Sequence, residues 1–543
     1  MFQDFGHLTE RRRAEREQRK KKIIIVSCSV ALLLVVVLGV VASLHIFTKD
    51  PSNVSATSGG LRTTSRTIEL ICSSTDFKHA CESSLSRVLN SSVGNSTDLQ
   101  PRDLIKAAIA AVADEVSEAF SQAKLIKTDD PMVEGAVEDC KGLYHYAKDE
   151  LLQTLRDVGK SPAEQLPKKE HDLKNWLSAV MSYQQTCIDG FPEGEFKTKM
   201  ENAMKTAKQL TSNALAIVAQ AASLFSMLDV RDRRLLKEKV TKNLKPNVVV
   251  AKDGSGDFRT ISAALAAISE KYHGRYVIYV KAGIYDESPT ITKEMVNVTM
   301  YGDGSRRTVV TGSKNFVDGT RTFQTATFVA IGEGFMAIAM GFRNTAGAIK
   351  HQAVAIRVQS DRAIFLNCRM EGYQDTLYAQ THRQFYRGCV VAGTVDFIFG
   401  DAAAVFQNCV LVVRRPLDNQ QNIVTAQGRI DRHESTGFVI QNCRFVADKK
   451  LEYSRTIIME STIGDFIQPD GYMPWDGDFA LKTLYYGEYG NKGPGAGLSK
   501  RVAWPGFKVI GKAEAQAYTV ALFIQGGDWI RAAGVPVHLG MYN

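Results

Sequence analysis

Apolar residues recur at helical spacing through the first half of the chain. Between residues 104 and 120, one side of a 3.6-residue period carries Leu104, Ile105, Ala108, Ile109, Val112, Val116 and Phe120. Comparable stretches span residues 131–158, 171–188 and 196–228. Four long helices with short connections predict an all-α four-helix bundle within residues 67–228.

From residue 247 to residue 543 the pattern changes to short β-type runs punctuated by Gly and Asn. Related segments end at Cys368, Cys389, Cys409 and Cys443, in steps of 21, 20 and 34 residues. A repeat of about 20 residues built from short strands predicts a parallel β-helix with one coil per repeat. A leucine-rich repeat fits less well because its leucine spacing is missing.

The N-terminal pattern predicts a membrane anchor. Residues 1–22 are rich in Arg and Lys, and the apolar run of residues 23–47 has no Lys, Arg, Asp or Glu over 25 positions. That length can cross about 30 Å of hydrocarbon, and the basic end is expected in the cytosol. A long cleaved signal peptide is the alternative. Residues 48–66, rich in Ser, Thr and Gly, are predicted to be a linker.

Composition narrows the class of protein. The chain has 543 residues, 44% hydrophobic and 23% charged, which excludes a wholly disordered protein, and its net charge of +9 does not indicate nucleic-acid binding. No CxxC zinc pattern is present, and no nucleotide-binding glycine loop lies in a supporting context.

Cysteines and sequons indicate the secretory pathway. Eight cysteines follow the apolar run, an even number that favours disulfides in an oxidising compartment. We expect Cys72–Cys81 to close a short hairpin, Cys140–Cys187 to join two bundle helices, and Cys389–Cys409 to bridge neighbouring coils. Glycosylation sequons begin at Asn53, Asn90, Asn95 and Asn297.

A basic stretch, residues 229–246, separates the two differently built regions. It contains Arg233, Arg234, Leu235 and Leu236, a dibasic motif at a domain boundary. We interpret it as a processing site for a subtilisin-like protease of the secretory pathway. A solvated run of charge is the alternative.

Two carboxylates stand one coil apart. Asp375 and Asp396 are separated by 21 residues, so a β-helix would place them side by side on adjacent coils. Two carboxylates that close cannot both ionise easily, which yields one nucleophile or base and one acid, as ester hydrolysis requires. Gln374 and Gln352 lie nearby in sequence, and their amides could donate to an oxyanion. The aromatic residues Tyr373 and Phe397 could floor a sugar-binding groove.

Several motifs together resemble one family. They are Gly283–Glu287, Gln352–Ile356, Gln374–Tyr378, Asp396–Gly400, Thr425–Arg429 and Trp475–Phe479. Residues 247–543 resemble the plant pectin methylesterases, or pectinesterases, and residues 67–228 resemble the inhibitor-like pro-region that many of these enzymes carry.

The resemblance implies a fold, a substrate and roles. The fold would be a right-handed parallel β-helix acting on homogalacturonan of the plant cell wall, without metal or organic cofactor. Asp396 would be the nucleophile and Asp375 the acid and base, while Gln374 and Gln352 would hold the oxyanion. Thr322 would contact the sugar. The expected route is a membrane-anchored precursor in the Golgi, with the pro-region acting in cis, followed by export to the cell wall.

One motif of the family is missing. A Leu-Gly-Arg-Pro-Trp segment is expected before Glu452, but the chain passes directly from Leu451 to Glu452. Either an active enzyme has an altered gene model or splice form, or the protein is a weak or inactive pectin-binding or inhibitor-type protein. Pectate lyases and polygalacturonases share the solenoid architecture, but the Gln-flanked Asp motifs argue against both.

Overall fold

A computed structural model describes residues 67–92, 101–161, 165–226, 244–269, 272–420, 422–445, 455–464, 467–472 and 481–542. All of these belong to one compact unit, Thr64–Asn543. No helix within these ranges is long and apolar enough to cross a membrane. The predicted anchor at 23–47, the sequons at Asn53 and Asn95, and the processing motif at 233–236 lie outside the described residues and stay predictions.

The N-terminal half of the described chain is helical. The helices are α1 (Lys78–Ser92), α2 (Pro101–Ser121), α3 (Pro131–Lys160), α4 (Leu166–Asp189) and α5 (Glu195–Ser226). Helices α2 to α5 pack in a ring, each against the next and α2 against α5. The Asp130 side chain caps α3 by accepting the Met132 N–H at 2.8 Å, with Pro131 in the first turn.

Two disulfides hold the helical region together. Cys72–Cys81 joins the segment before α1 to α1 itself, and Cys140–Cys187 joins α3 to α4, with Cα–Cα distances of 5.7 and 4.8 Å. Both predicted pairings are confirmed. Each bond restricts the unfolded chain and therefore stabilises the bundle.

The second half forms three parallel sheets wound as a solenoid. The eleven-stranded sheet contains, in order, β1 (Val248–Val250), β2 (Tyr276–Val280), β5 (Val298–Gly302), β8 (Met336–Ile338), β11 (Ala363–Leu366), β14 (Arg383–Arg387), β17 (Ala403–Gln407), β20 (Gly437–Gln441), β22 (Arg455–Met459), β24 (Tyr485–Tyr489) and β25 (Phe507–Val509). The eight-stranded sheet contains β3 (Gly283–Asp286), β6 (Thr308–Gly312), β9 (Gly341–Asn344), β12 (Arg369–Glu371), β15 (Val390–Gly393), β18 (Val410–Val413), β21 (Arg444–Phe445) and β23 (Thr462–Ile463). The six-stranded sheet contains β4 (Thr290–Ile291), β7 (Phe328–Ala330), β10 (Ile356–Val358), β13 (Leu377–Ala379), β16 (Ile398–Gly400) and β19 (Thr425–Gln427). The predicted parallel β-helix is therefore confirmed.

The sequence repeat has a structural cause. Asn367, Asn408 and Asn442 adopt positive φ values of 53°, 56° and 51° directly after a strand of the eleven-stranded sheet, and Gly388 does the same at 63°. Asn and Gly tolerate this left-handed conformation best. The residue that follows is each time a buried cysteine inside the solenoid.

The predicted Cys389–Cys409 disulfide is wrong. Cys368, Cys389, Cys409 and Cys443 are all free thiols. The Cys389 Sγ donates to the Phe365 carbonyl at 3.3 Å, and the Cys409 Sγ to the Tyr386 carbonyl at 3.5 Å. Thiols at equivalent positions of stacked coils point the same way and bond to the backbone one coil back, which does not give the facing Cβ geometry that a disulfide needs.

The outer surfaces of the sheets differ in what covers them. The short helices α7 (Lys512–Gln516), α8 (Val520–Phe523) and α9 (Gly526–Ala532) pack on the outside of the eleven-stranded sheet. One further helix, α6 (Ile261–Ala266), lies against β1 at the start of the solenoid. The six-stranded sheet instead presents an outward row: Val329, Arg357, Tyr378, Phe399 and Ala426, paired in register.

Candidate active site

Two aspartates occupy the same turn in consecutive coils. Asp375 precedes β13 and Asp396 precedes β16, and these strands pair Leu377 with Ile398. Both aspartates have positive φ, 63° and 48°, a conformation uncommon for residues other than glycine. Strained backbone of this kind concentrates at functional sites. The coil rise of about 4.8 Å sets the two carboxylates side by side.

The aspartates lie at the floor of a cleft of about 710 Å³. Its solenoid wall includes Thr322, Gln352, Asp375, Asp396, Tyr378 and Phe399. Its other wall comes from the helical bundle, through Ser182, Gln185, Thr186 and the turn 189–193. Helix α4 therefore covers the part of the cleft that contains the two carboxylates.

The surroundings of Asp375 disfavour its ionised form. Asp375 is 7% exposed. Burial, and then the neighbouring charge of Asp396, raise the pKa of Asp375 well above its ordinary value. Asp375 is thus suited to hold a proton near neutral pH, as a general acid must.

The structure gathers some of the predicted site residues and separates others. Thr322 and Gln352 line the cleft with the two aspartates. Gln374 is half-buried beside Asp375, and its Oε1 has no hydrogen-bond partner among the described residues. Tyr373 lies 4.4 Å from the Arg414 guanidinium and is not among the lining residues.

The prediction that Phe397 contacts the sugar is wrong. It is fully buried in the solenoid core, so it cannot contact a substrate as predicted. Phe397 lies in the turn before β16, where strand alternation does not yet hold. Within β16 the side chain of Ile398 is buried in the core, and that of the next residue, Phe399, faces outward. Phe399 stacks on Tyr378 with ring centroids 4.2 Å apart, and both rings line the cleft. Each ring lies three residues after the aspartate of its own coil, and this shared spacing is the signal that could have found the pair.

Hydrogen bonds and ion pairs fix the bundle above the cleft. The Asp139 carboxylate of α3 accepts from the Arg321 Nε and the Gln324 Nε2, each at 2.6 Å. Asp172 of α4 accepts from the Arg383 Nη1 at 2.8 Å. Each ion pair across this boundary joins a carboxylate of the bundle to a basic side chain of the solenoid. Further pairs with Lys or Arg are Asp149 and Glu150 with Lys293, Asp172 with Arg362, and Asp76 with Arg432.

A second polar group of side chains borders the cleft near Asp401. The Asp401 Oδ1 accepts from the Thr436 hydroxyl at 2.6 Å and from the Gln427 Nε2 at 3.1 Å. Burial, followed by the charge of Asp401, raises the pKa of Glu434 well above its usual range. The Arg429 Nε donates to the Asp431 carbonyl at 2.7 Å. Within the described residues, no group of three or more His, Cys, Asp or Glu side chains could hold a metal ion.

Comparisons with known proteins agree with this architecture. The family described as Pectinesterase matches residues 247–527, and the family described as Plant invertase/pectin methylesterase inhibitor matches residues 66–217. "Probable pectinesterase/pectinesterase inhibitor 13" of Arabidopsis thaliana is 45% identical over 509 residues, which cover 88% of this chain and 82% of the relative. "Pectinesterase 3" of Citrus sinensis is 38% identical, with 87% and 88% covered.

A solved structure shares the solenoid. "Pectin methylesterase from Carrot" superposes with a TM-score of 0.54 at 49% identity and covers 55% of this chain and 100% of its own. Family and fold therefore agree for the solenoid, and the sequence matches extend to the helical half. The chain belongs to the pectinesterase family of carboxylic ester hydrolases and carries a pectin methylesterase inhibitor domain ahead of its pectinesterase domain.

Proposed function

We propose that this protein is a pectin methylesterase that hydrolyses methyl esters of cell-wall homogalacturonan to pectate and methanol, and that its bundle covers the active site in the precursor. The observation that supports this most is the placement of Asp375 and Asp396. They occupy equivalent turns of adjacent coils on the floor of one cleft, and the pKa of Asp375 is raised.

The first half of the reaction forms an acyl-enzyme. The Asp396 carboxylate attacks the ester carbonyl carbon, and the carbonyl oxygen becomes an oxyanion. Amide N–H groups of Gln352 and Gln374 stabilise that charge. Asp375 donates its proton to the departing methoxide, so methanol leaves and Asp396 is joined to the sugar carboxyl as an anhydride.

The second half returns the enzyme to its starting state. The Asp375 carboxylate takes a proton from water, and the resulting hydroxide attacks the sugar acyl carbon. The bond to Asp396 breaks, which frees Asp396 as a carboxylate and the substrate as galacturonic acid. The proton is again on Asp375. The net reaction consumes one ester and one water and yields one acid and one methanol.

The aromatic pair Tyr378 and Phe399 gives the sugar ring a stacking surface beside the nucleophile. Thr322 lies on the same wall and supplies a hydroxyl. Tyr373 lies outside the lining of the cleft, against Arg414, and stays a predicted sugar contact.

The roof formed by α4 implies an inactive precursor. Thr186 reaches the Tyr378 hydroxyl at 3.4 Å, directly where a sugar would stack. Cleavage at Arg233–Leu236 by a subtilisin-like protease would permit the bundle to leave. This fits a membrane-anchored precursor in the secretory pathway that is cut before export to the cell wall.

The test uses the full chain with a specific protease site placed between residues 226 and 244, cut after purification. We expect methanol release from methylated pectin, abolished by Asp396→Asn and severely reduced by Asp375→Asn. Asp418→Asn, the same change at a side chain that is 99% exposed, is the matched control and should keep the wild-type rate. Absence of methanol from the cut wild-type chain would contradict the function, and a wild-type rate in Asp396→Asn would contradict the assignment of the nucleophile.

A second candidate function is a weakly active or inactive pectin-binding protein. It is favoured by the missing Leu-Gly-Arg-Pro-Trp segment. The six-stranded sheet ends at β19 among the described residues, and the chain connecting β21 to β22 through residues 446–454 lies outside them. The missing Arg would orient the nucleophilic Asp, and the missing Trp would stack on a sugar.

Restoring that segment discriminates the two functions. Insertion of one coil carrying Leu-Gly-Arg-Pro-Trp between Leu451 and Glu452 should raise methanol release about 100-fold or more, the scale of one misaligned catalytic contact. The matched control carries Ala in place of the inserted Arg and should gain far less. Circular dichroism verifies folding of all variants. Equal rates with and without the coil would mean that another residue, with Arg429 and Arg455 as the nearest candidates, fulfils the role.

A further inference from the structure

A column of buried side chains runs through the interior of the solenoid, one from each of six consecutive coils. Each member lies between a strand of the eleven-stranded sheet and a strand of the eight-stranded sheet, and each is at most 1% exposed: Met340, Cys368, Cys389, Cys409, Cys443 and Ser461. The residue after each member from Cys368 to Ser461 donates its N–H to the carbonyl of the member one coil back, at 2.8–3.1 Å. The members are therefore in register and follow one another at the coil rise of about 4.8 Å.

The sulfur atoms of the four cysteines have the same orientation. Each Sγ donates to the carbonyl two residues earlier in its own coil and to one carbonyl of the preceding coil, at 3.3–3.5 Å. The Ser461 hydroxyl makes the same two contacts, at 3.0 Å to the Met459 carbonyl and at 3.3 Å to the Ile440 carbonyl. The sulfur atoms therefore repeat with the coil, and serine can take the place of cysteine in this column while keeping its hydrogen bonds.

This spacing does not suit a disulfide, but it suits a bridging metal ion. A disulfide needs two sulfur atoms about 2.05 Å apart, which is less than half the coil rise. A metal–thiolate bond is about 2.3 Å long, so two such bonds in line span about 4.6 Å. Copper(I) is a soft ion that prefers thiolates and accepts two ligands in line. It does not require a cluster of three or more ligands, which the described residues do not offer.

We propose that Cys368, Cys389, Cys409 and Cys443, here called the thiol column, bind copper(I) between the sulfur atoms of neighbouring coils. One thiol of a pair releases its proton to solvent and binds as a thiolate, while its neighbour binds through a sulfur lone pair and keeps its proton. One copper(I) ion and two thiols thus give a neutral bridged pair and one proton, without oxidation or reduction. A neutral product fits the apolar interior, which disfavours charge.

The thiol column is separate from the candidate active site and does not depend on the proposed function. Asp375 and Asp396 line the outer cleft, whereas the four cysteines belong to the core of the solenoid. Copper(I) would enter while the chain folds or when neighbouring coils separate. Once bound, it would link two coils and stabilise the folded state, because the unfolded chain does not hold the thiols at this spacing.

The first experiment compares two variants of the full chain that keep two column thiols each, both with Cys28→Ser. Cys368→Ser combined with Cys443→Ser leaves the neighbours Cys389 and Cys409. Cys389→Ser combined with Cys409→Ser leaves two thiols that are three coils apart, about 14 Å, and is the matched control. Circular dichroism verifies that both variants are folded.

Each variant is incubated anaerobically with copper(I) in urea below the unfolding transition, and loosely held copper is removed with a copper(I) chelator. We expect the variant with neighbouring thiols to retain about one ion per chain and the control about tenfold less, because an isolated thiol offers one ligand only. Equal retention by the two variants, or no retention by the first, overturns the inference.

X-ray absorption at the copper edge tests the ligands without any substitution in the column. The full chain with Cys28→Ser and all four column thiols should hold copper with two sulfur neighbours in line. Nitrogen or oxygen neighbours would place the ion on other side chains and overturn the inference. Three sulfur neighbours would overturn it as well, because a column of this spacing offers a bridging ion two sulfur atoms.

Thermal unfolding distinguishes a site of the folded chain from binding to the unfolded chain. Copper(I) should raise the Tm of the variant with neighbouring thiols by about 2 °C or more and leave the Tm of the control unchanged. An unchanged or lower Tm of the first variant with copper bound would mean that the ion does not favour the folded coils, and this result overturns the inference.

Discussion

At the residue scale, the candidate site contains one carboxyl group whose ionisation is disfavoured. Asp375 is buried beside a second carboxylate, and both effects disfavour its charged form. The folded chain therefore binds this proton more tightly than the unfolded chain does. Asp375 therefore contributes to the free energy of unfolding at low pH. That contribution is lost as pH rises from about 3.9, the ordinary pKa of Asp, through the raised pKa of the folded state.

Asp375→Asn should consequently stabilise the protein while it impairs catalysis. The difference in unfolding free energy from wild type should grow as pH rises above about 4, at about 1.4 kcal/mol for each unit through which the pKa is raised. Urea denaturation of the full chain at several pH values measures it, with Asp418→Asn as the exposed control. A difference that does not change with pH would show that the proton on Asp375 is not tied to folding.

At the scale of the element, helix α3 is shaped for its contact with the solenoid. A Cβ on Gly135 would lie 1.6 Å from the Arg321 Nη1, so any other residue there would push this guanidinium away from its present path across the helix to Asp139. Glycine inside a helix costs about 1 kcal/mol relative to alanine. In α3 the glycine that lowers helix stability also leaves room for the contact between Arg321 and Asp139, which joins the two domains.

Two glycines of α3 provide a matched pair of variants. Gly142 has nothing within 4 Å of an added Cβ, so Gly142→Ala should stabilise the full chain by about 0.5–1 kcal/mol. Gly135→Ala should gain the same helix propensity but displace Arg321, which loosens the bundle and raises methanol release from the uncut chain. Thermal unfolding and the methanol assay check both variants. Identical behaviour of the two would mean that the approach of Arg321 does not matter for docking.

The sequence predicts elements well where the hydrophobic period extends over many residues. It predicts poorly which way a side chain faces when that depends on the position of a turn. The helical stripes of α2 to α5 predict the bundle, and the 21-residue step predicts that Asp375 and Asp396 meet. The sequence puts the Phe397 side chain on the wrong face because this residue lies in the turn before β16, where strand alternation does not yet hold. Contacts such as that of Asp139 with Arg321 depend on how the two domains dock. Neither the helical period of the bundle nor the coil repeat of the solenoid encodes that docking.

At the scale of the whole molecule, electrostatics hold the bundle against the solenoid. The carboxylates come from the bundle, at Asp76, Asp139, Asp149, Glu150 and Asp172, and the cations come from the solenoid. Arg383 bonds both to Asp172 and to Asp361 of its own domain, so it is held in position for the bundle. Such an interface is expected to weaken as salt screens it.

After the chain is cut, the bundle should therefore dissociate more readily at high salt. Asp172→Asn should weaken the complex about tenfold or more, because Arg383 loses its interdomain partner. Asp157→Asn removes a carboxylate that pairs with Lys169 inside the bundle and serves as control. Size-exclusion chromatography at about 0.05 and 0.5 M salt measures the bound fraction. Association that is independent of salt would point to the apolar contacts instead.

The reactivity of four buried thiols can show where the coils of the solenoid separate. Cys368, Cys389, Cys409 and Cys443 are sealed in consecutive coils, so an alkylating reagent can reach each one only when its coil separates from its neighbours. Timed alkylation, followed by peptide mapping that distinguishes them from Cys28, would rank the coils by accessibility. The order of modification reveals from which end the stack unravels, without any introduced label.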